Sequence, residues 1–326
     1  MNTLNEGLEG ERAVTRVISF WGKGGVGKTT LSASVGVGLA REGYNILLIS
    51  TDPAPSLAEV LGVGSRYDTL KTLLENRFAF LELGEEEVIR LWKERFGEEV
   101  YTVISSLFPV DESIIDYVAG APGIADEFTM YYVMEVAKKG KYDYIVWDTP
   151  AAGGSLRLLR IEWELYTHLN EAGKLYLRIK SVIDKVRRGP GDPLSLINEW
   201  RRIAQETLSF MSSDNHLTLV VTSPTRLGLH VTRKLVQELS LHNIVVRRIL
   251  VNMLKNEKAC LDCQPWVEEA CREKRVLEEI MRVFGETPGV SIVPYMTEEV
   301  RGVHMLYRLY KEYVKKALEP LLHNMF

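Results

Sequence analysis

At 326 residues, with 46% hydrophobic and 26% charged side chains, the chain is long enough to bury a large core as one α/β domain or as a domain carrying an insertion. A formal net charge of −4, with no basic block, argues against nucleic acid as the main partner. No apolar run reaches the roughly eighteen residues of a membrane span, the polar Met1–Arg12 stretch lacks the apolar region of a signal peptide, and the three cysteines, Cys260, Cys263 and Cys271, form no disulfide framework, so the expected compartment is the cytoplasm.

The first apolar run, Val17-Ile18-Ser19-Phe20-Trp21, reads as a buried strand and leads into Gly22-Lys23-Gly24-Gly25-Val26-Gly27-Lys28-Thr29-Thr30. Gly22, Gly27, Lys28 and Thr29 occupy the diagnostic positions of the phosphate-cradling template G-x-x-x-x-G-K-[ST]. With Thr30 to Arg41 as the following helix, the stretch places backbone N–H groups and a positive helix end around a polyphosphate. Lys28 is expected on the terminal phosphates and the Thr29 hydroxyl on Mg²⁺. The second lysine, Lys23, is not needed for that. It suggests charge delivered to a phosphate from elsewhere, such as the facing subunit of a dimer, the alternative being a solvated loop lysine.

Asn45 to Ser50 is the next buried strand, ending at Thr51-Asp52-Pro53, and further strands are expected over Tyr142–Asp148, Leu217–Thr222, Val246–Asn252 and Val290–Val293. Their alternation with helical patterns predicts a mostly parallel, doubly wound sheet with helices on both faces. Ligands of such sheets sit beyond the carboxyl ends of the strands. Two strand-end acids fall there. Asp148 is suited to hold Mg²⁺, and Asp52 to orient an attacking water, unless either merely caps the next helix. The small-residue loop Thr149 to Ser155 is expected to respond to the γ-phosphate.

Two stretches exceed what the sheet needs for cover. Val88, Trp92, Phe96, Val100, Ile104 and Leu107 fall mostly four apart, giving one apolar helical face; a second set follows with Leu175, Ile179, Val182, Ile183 and Val186, then Ile197, Trp200, Ile203, Leu208 and Met211. The hinge between the later helices is Gly189 to Pro193. The expectation is one domain spanning the whole chain, with helical insertions over roughly 85–130 and 160–212. Each stripe either faces the core or forms a groove for another apolar helix. Cys260-Leu261-Asp262-Cys263 supplies two thiolates, half of a structural zinc set; the rest could come from a second subunit, and a redox pair or two ordinary thiols are the alternatives.

Together these residues resemble the deviant Walker A ATPases, the group of MinD/ParA, the nitrogenase iron protein and ArsA. Ser50 to Ala54, Asp148-Thr149-Pro150 with Leu156-Arg157, Val251-Asn252, Cys260 with Cys263, and Pro294 with Val300-Arg301-Gly302 look like the ArsA branch in particular, closest to a single-domain, archaeal-like targeting ATPase. That branch holds the arsenite-pump ATPase and the ATPase that targets tail-anchored membrane proteins. The resemblance, covering about Val14 to Leu309, implies a P-loop fold with a helical subdomain and a homodimer binding ATP and Mg²⁺. It also implies water activation by Asp52, a Lys23 that reaches the partner's nucleotide, and adenine recognition at Asn252 and near Pro294. One Zn²⁺ would be shared by Cys260 and Cys263 of two subunits. In the targeting branch, helical additions at these places hold a client's transmembrane helix, and a membrane receptor or pump subunit is a further partner.

The chain departs from the pattern at Pro55 and Gly154, where histidines are usual, and at Thr225, where a nucleotide-contacting Glu is common. Its helical stretches also hold little Met beyond Met211. The expected function is an ATP-switched carrier of hydrophobic helices; the alternative is the ATPase of an arsenite or antimonite pump. The carrier is favoured because Asp116 to Phe128, near where pump ATPases place an arsenic-binding cysteine, holds none, and because the chain has one phosphate loop where such pumps commonly have two.

Overall fold

The apolar runs expected as strands all enter one sheet. The computed structural model describes residues 15–52, 56–63, 71–121, 123–151 and 192–323. Pro53, Ala54 and Pro55, the loop from Ala152 to Ser155 with Leu156 and Arg157, the stripe Leu175 to Val186 and the Gly189–Gly191 hinge lie outside the described residues.

In chain order the elements are β1 (Arg16–Gly22), α1 (Lys28–Arg41), β2 (Ile46–Ser50), α2 (Leu57–Val60), β3 (Lys71–Leu73), β4 (Phe78–Glu82), α3 (Glu85–Ser105), α4 (Ser113–Ala119), α5 (Ile124–Lys138) and β5 (Tyr144–Asp148). They continue as α6 (Pro193–Met211), β6 (His216–Thr222), α7 (Arg226–Leu241), β7 (Val246–Leu254), α8 (Gln264–Phe284), β8 (Val290–Pro294), α9 (Gly302–Leu309) and α10 (Lys315–His323). The sheet runs β3-β4-β2-β5-β1-β6-β7-β8. Every neighbouring pair is parallel except the β3–β4 hairpin.

Period-two alternation divides the core by face. Val17 and Trp21 of β1, Leu47 and Ile49 of β2, and Ile145 and Trp147 of β5 face the layer containing α3, α5, α7 and α8. Ile18 and Phe20, Ile46 and Leu48, and Tyr144 and Val146 face α1 and the C-terminal helices. Helix α1 is covered by those helices and so is apolar nearly all round: Leu31, Ala33, Val35, Val37 and Leu39 are fully buried.

The direction of the α3 stripe is now settled for most of its length. Val88, Trp92 and Val100 belong to the core on the sheet face, with Phe96 and Ile104 packed against it. Only the far end differs: Val103 joins Ile197 of α6 in a small separate cluster with Leu107, Leu194, Leu196 and Trp200. There the Trp200 indole N–H also donates to Glu99 at 2.6 Å.

A buried polar chain stitches α6 to the central strand. The Trp21 indole N–H donates to Ser19 Oγ (2.7 Å), and His216 places Nε2 at 2.7 Å from Ser19 Oγ and Nδ1 at 2.7 Å from the Met211 carbonyl. A carbonyl only accepts, so Nδ1 carries the proton and Nε2 accepts from Ser19. Burial pushes the His216 pKa down to about 4. The unfolded chain takes up this proton near pH 6.5 and the folded chain only near 4, so the stabilisation is complete above pH 6.5. It is lost as pH falls toward 4, by about 3 kcal/mol. Urea unfolding at several pH values should show this loss, and His216→Gln should flatten the profile in that window; equal slopes for both proteins would contradict the assignment.

Candidate active site

The loop from Gly22 to Gly27 joins β1 to α1 beyond the carboxyl end of the sheet. A side chain at Gly22 would put its Cβ 2.2 Å from the Val221 carbonyl oxygen, so the chain can leave β1 this close to β6 only without one. Gly27 has φ 89° and precedes α1; a Cβ there would lie 2.4 Å from Asn252 Nδ2. No side chain caps α1 and its first turn holds no acid. Its first-turn N–H groups and positive helix end therefore point to the loop, the arrangement that receives an anion.

Lys28 is buried, its ammonium 3.5 Å from the Lys23 carbonyl. Burial pulls its pKa down, and the carboxylates of Asp148 and Asp52 pull it back up. A lysine held this way gains by pairing with a phosphate. Thr29, one residue on, donates to Asp148 Oδ2 at 2.7 Å, and Ser50 donates to the same oxygen at 3.1 Å. Asp148 is fully buried, and its other oxygen, Oδ1, has no hydrogen-bond partner. Burial first of all pushes its pKa up to about 6, with Asp52 adding to the rise, against the Thr29 and Ser50 hydrogen bonds and the Lys28 charge. An orphaned buried carboxylate oxygen beside a hydroxyl is a hard oxygen set short of a cation, which fits Mg²⁺.

Asp52 lies half-buried at the end of β2, near enough to Lys28 and Asp148 to shift both. The two strand-end acids and the loop lysine thus come together. Lys23 is half-buried with its ammonium 3.5 Å from the Gly24 carbonyl. Gly24 and Gly25 are exposed, Val26 is buried, and Thr30 is half-buried.

Asn252, near the end of β7, is buried and donates from Nδ2 to the Val26 carbonyl at 2.9 Å, which ties the β7 end to the phosphate loop. Pro294 ends the neighbouring strand opposite Leu254. Thr225 accepts from the Gly228 N–H at 3.0 Å and caps α7, a helix-capping use of that position. Ser50, although visible at a strand end, is a partner of Asp148 that sequence reasoning did not single out, because its register against β5 is a tertiary fact.

Cys260 is exposed and Cys263 half-buried in the turn before α8, with the Cys263 N–H donating to the Cys260 carbonyl at 3.3 Å. Among the described residues no group of three or more His, Cys, Asp or Glu is placed to hold a metal. Two thiols fall short of the four ligands of a structural zinc. No helix among the described residues is long and apolar enough to cross a membrane.

A profile of the anion-transporting ATPase family matches residues 15–315. Among curated proteins, the chain is similar to a putative arsenical pump-driving ATPase 2 of Aquifex aeolicus, 30% identical over 308 residues that cover 92% of this chain and 98% of the relative. It is also similar to ATPase GET3 of Malassezia globosa, 27% identical over 311 residues covering 92% and 90%, and to an ATPase ASNA1 homolog of Dictyostelium discoideum, 29% identical over 308 residues covering 92% and 89%.

Proposed function

The chain belongs to the anion-transporting ATPase family and is an ATP hydrolase, and from that premise we propose that it acts as a homodimeric, ATP-switched carrier that shields the transmembrane helix of tail-anchored clients and delivers it to a membrane. The loop N–H groups, Lys28 and the α1 terminus bind the phosphates. Asp148 and Thr29 would hold Mg²⁺, which would supply positive charge opposite the transferred phosphoryl group, and Ser50 fixes the carboxylate. Asp52 orients the attacking water and accepts its proton. Lys23 of each copy completes the site of the other, and Asn252 and the residues near Pro294 recognise adenine. Cys260 and Cys263 of two copies would together supply four thiolates to one Zn²⁺, in keeping with the incomplete set in one chain.

The client site is proposed at the helical layer, where Val103 and Ile197, with Leu107 against them, form a cluster separate from the two sheet cores and Trp200 bridges it to the core on the α3 face. Phe108, just beyond α3, is 55% exposed and Tyr117 of α4 is 79% exposed. The observation that carries the carrier reading over a metalloid pump is chemical. A trivalent metalloid needs soft thiolates, and the stretch from Asp116 through α4 to Phe128 of α5 contains no cysteine. All three cysteines follow β7. The two readings separate in a steady-state ATPase assay: a carrier shows the same turnover with and without arsenite, whereas clear stimulation by arsenite would favour the pump.

A further inference from the structure

Adjacent residues of β5 point to opposite faces of the sheet. Asp148 serves the phosphate-loop side through Thr29, whereas Trp147 lies in the core shared with α3 and α5. The Trp147 indole is fully buried, packed edge-on against Trp21 with ring centroids 5.9 Å apart. Its N–H donates at 3.0 Å to the hydroxyl of Thr51. Thr51 leaves β2 one residue before Asp52. Its hydroxyl in turn faces the Asp148 carbonyl at 3.4 Å, and its own N–H donates to that carbonyl at 3.1 Å. The backbone from which Asp52 projects is thus clamped to β5 by two hydrogen bonds of the Thr51 hydroxyl and one of its main-chain N–H.

An indole N–H buried in an apolar layer needs an acceptor, and the end of β2 supplies it at Thr51, the one residue that precedes Asp52. We propose that Trp147 is a positioning residue for hydrolysis: through the Thr51 hydroxyl it fixes the direction in which Asp52 leaves the sheet. This rests on the assignment of water orientation to Asp52. Positioning matters because hydrolysis here depends on the alignment of a carboxylate and a water, and a displacement of about 1 Å costs on the order of a hundredfold in rate. Binding of ATP by Lys28 and the α1 terminus does not depend on that clamp.

The test uses the full-length protein and compares kcat with KM for ATP. Thr51→Val, close to Thr51 in shape but without the hydroxyl, should lower kcat about tenfold to a hundredfold and leave KM within about twofold, with Thr51→Ser restoring kcat. Trp147→Phe should lower kcat in the same direction. In a Thr51→Val background it should add less than about a twofold further loss, because both changes remove the same bond. Should Trp147→Phe fail to fold, the Thr51 pair alone decides. Full kcat in Thr51→Val, or additive losses in the double variant, would overturn the positioning role. Asp52→Asn is measured alongside: its normal turnover would remove the premise about Asp52, whereas its inactivity beside a fully active Thr51→Val would remove only the clamp.

Discussion

Asp52→Asn is expected to abolish turnover while sparing nucleotide binding, with kcat falling by about 10³-fold or more. Amide and carboxylate have nearly the same shape, so the β2 end and the Thr51 clamp stay in place. What is lost is the charge that orients a water and takes up its proton. The remaining charges predict the sign of the effect on affinity. Asp52 lies near Lys28 and Asp148, raising the pKa of both. Removing its negative charge from beside an anionic ligand therefore leaves ATP affinity equal or somewhat tighter. Isothermal titration with ATP and single-turnover hydrolysis separate the two quantities. Unchanged hydrolysis in the variant would refute the role.

Replacing Cys260 and Cys263 together by Ser should have a comparably large effect through assembly. The Cys260–Cys263 pair is no complete metal set among the described residues, and a zinc that linked two such pairs would contribute to the dimer much of its binding free energy, on the order of 10 kcal/mol. If Lys23 of one copy completes the site of the other, loss of the dimer also removes hydrolysis. The variant should therefore be zinc-free and monomeric by light scattering. Its turnover should be reduced about tenfold or more and should rise with protein concentration. A zinc-free wild-type dimer with full activity would contradict both the metal assignment and its link to the active site.

Much of this site is legible in the sequence because its parts are local. The phosphate loop is a contiguous pattern, and Asp52 and Asp148 are marked by apolar runs that end in an acid. Parallel strands buried on both faces read as such runs, which is why β1, β2, β5, β6, β7 and β8 were all expected. The β3–β4 hairpin was not. Its turn passes through Leu74, Glu75 and Asn76 at φ 50°, 57° and 67°, so it carries none of the Gly or Pro punctuation that announces a turn, and Phe78–Glu82 spans only five residues. The α3 stripe shows a second limit: spacing reveals that a helix has an apolar face, but not that Val88, Trp92 and Val100 meet the sheet while Val103 meets α6. Contacts of long separation, such as His216 with Ser19 and Trp147 with Thr51, depend on strand order and register. These are the contacts that fix the site's supporting groups.

Whether ATP switches this chain as a carrier of hydrophobic helices is decided by co-expressing the full-length protein with a tagged tail-anchored helix and purifying through the tag. A carrier yields a soluble complex of the helix with two copies of this chain, trapped by Asp52→Asn and released by the wild type on ATP hydrolysis. An aggregated or membrane-inserted helix with the chain left behind, together with arsenite-stimulated ATPase activity, would contradict the carrier reading.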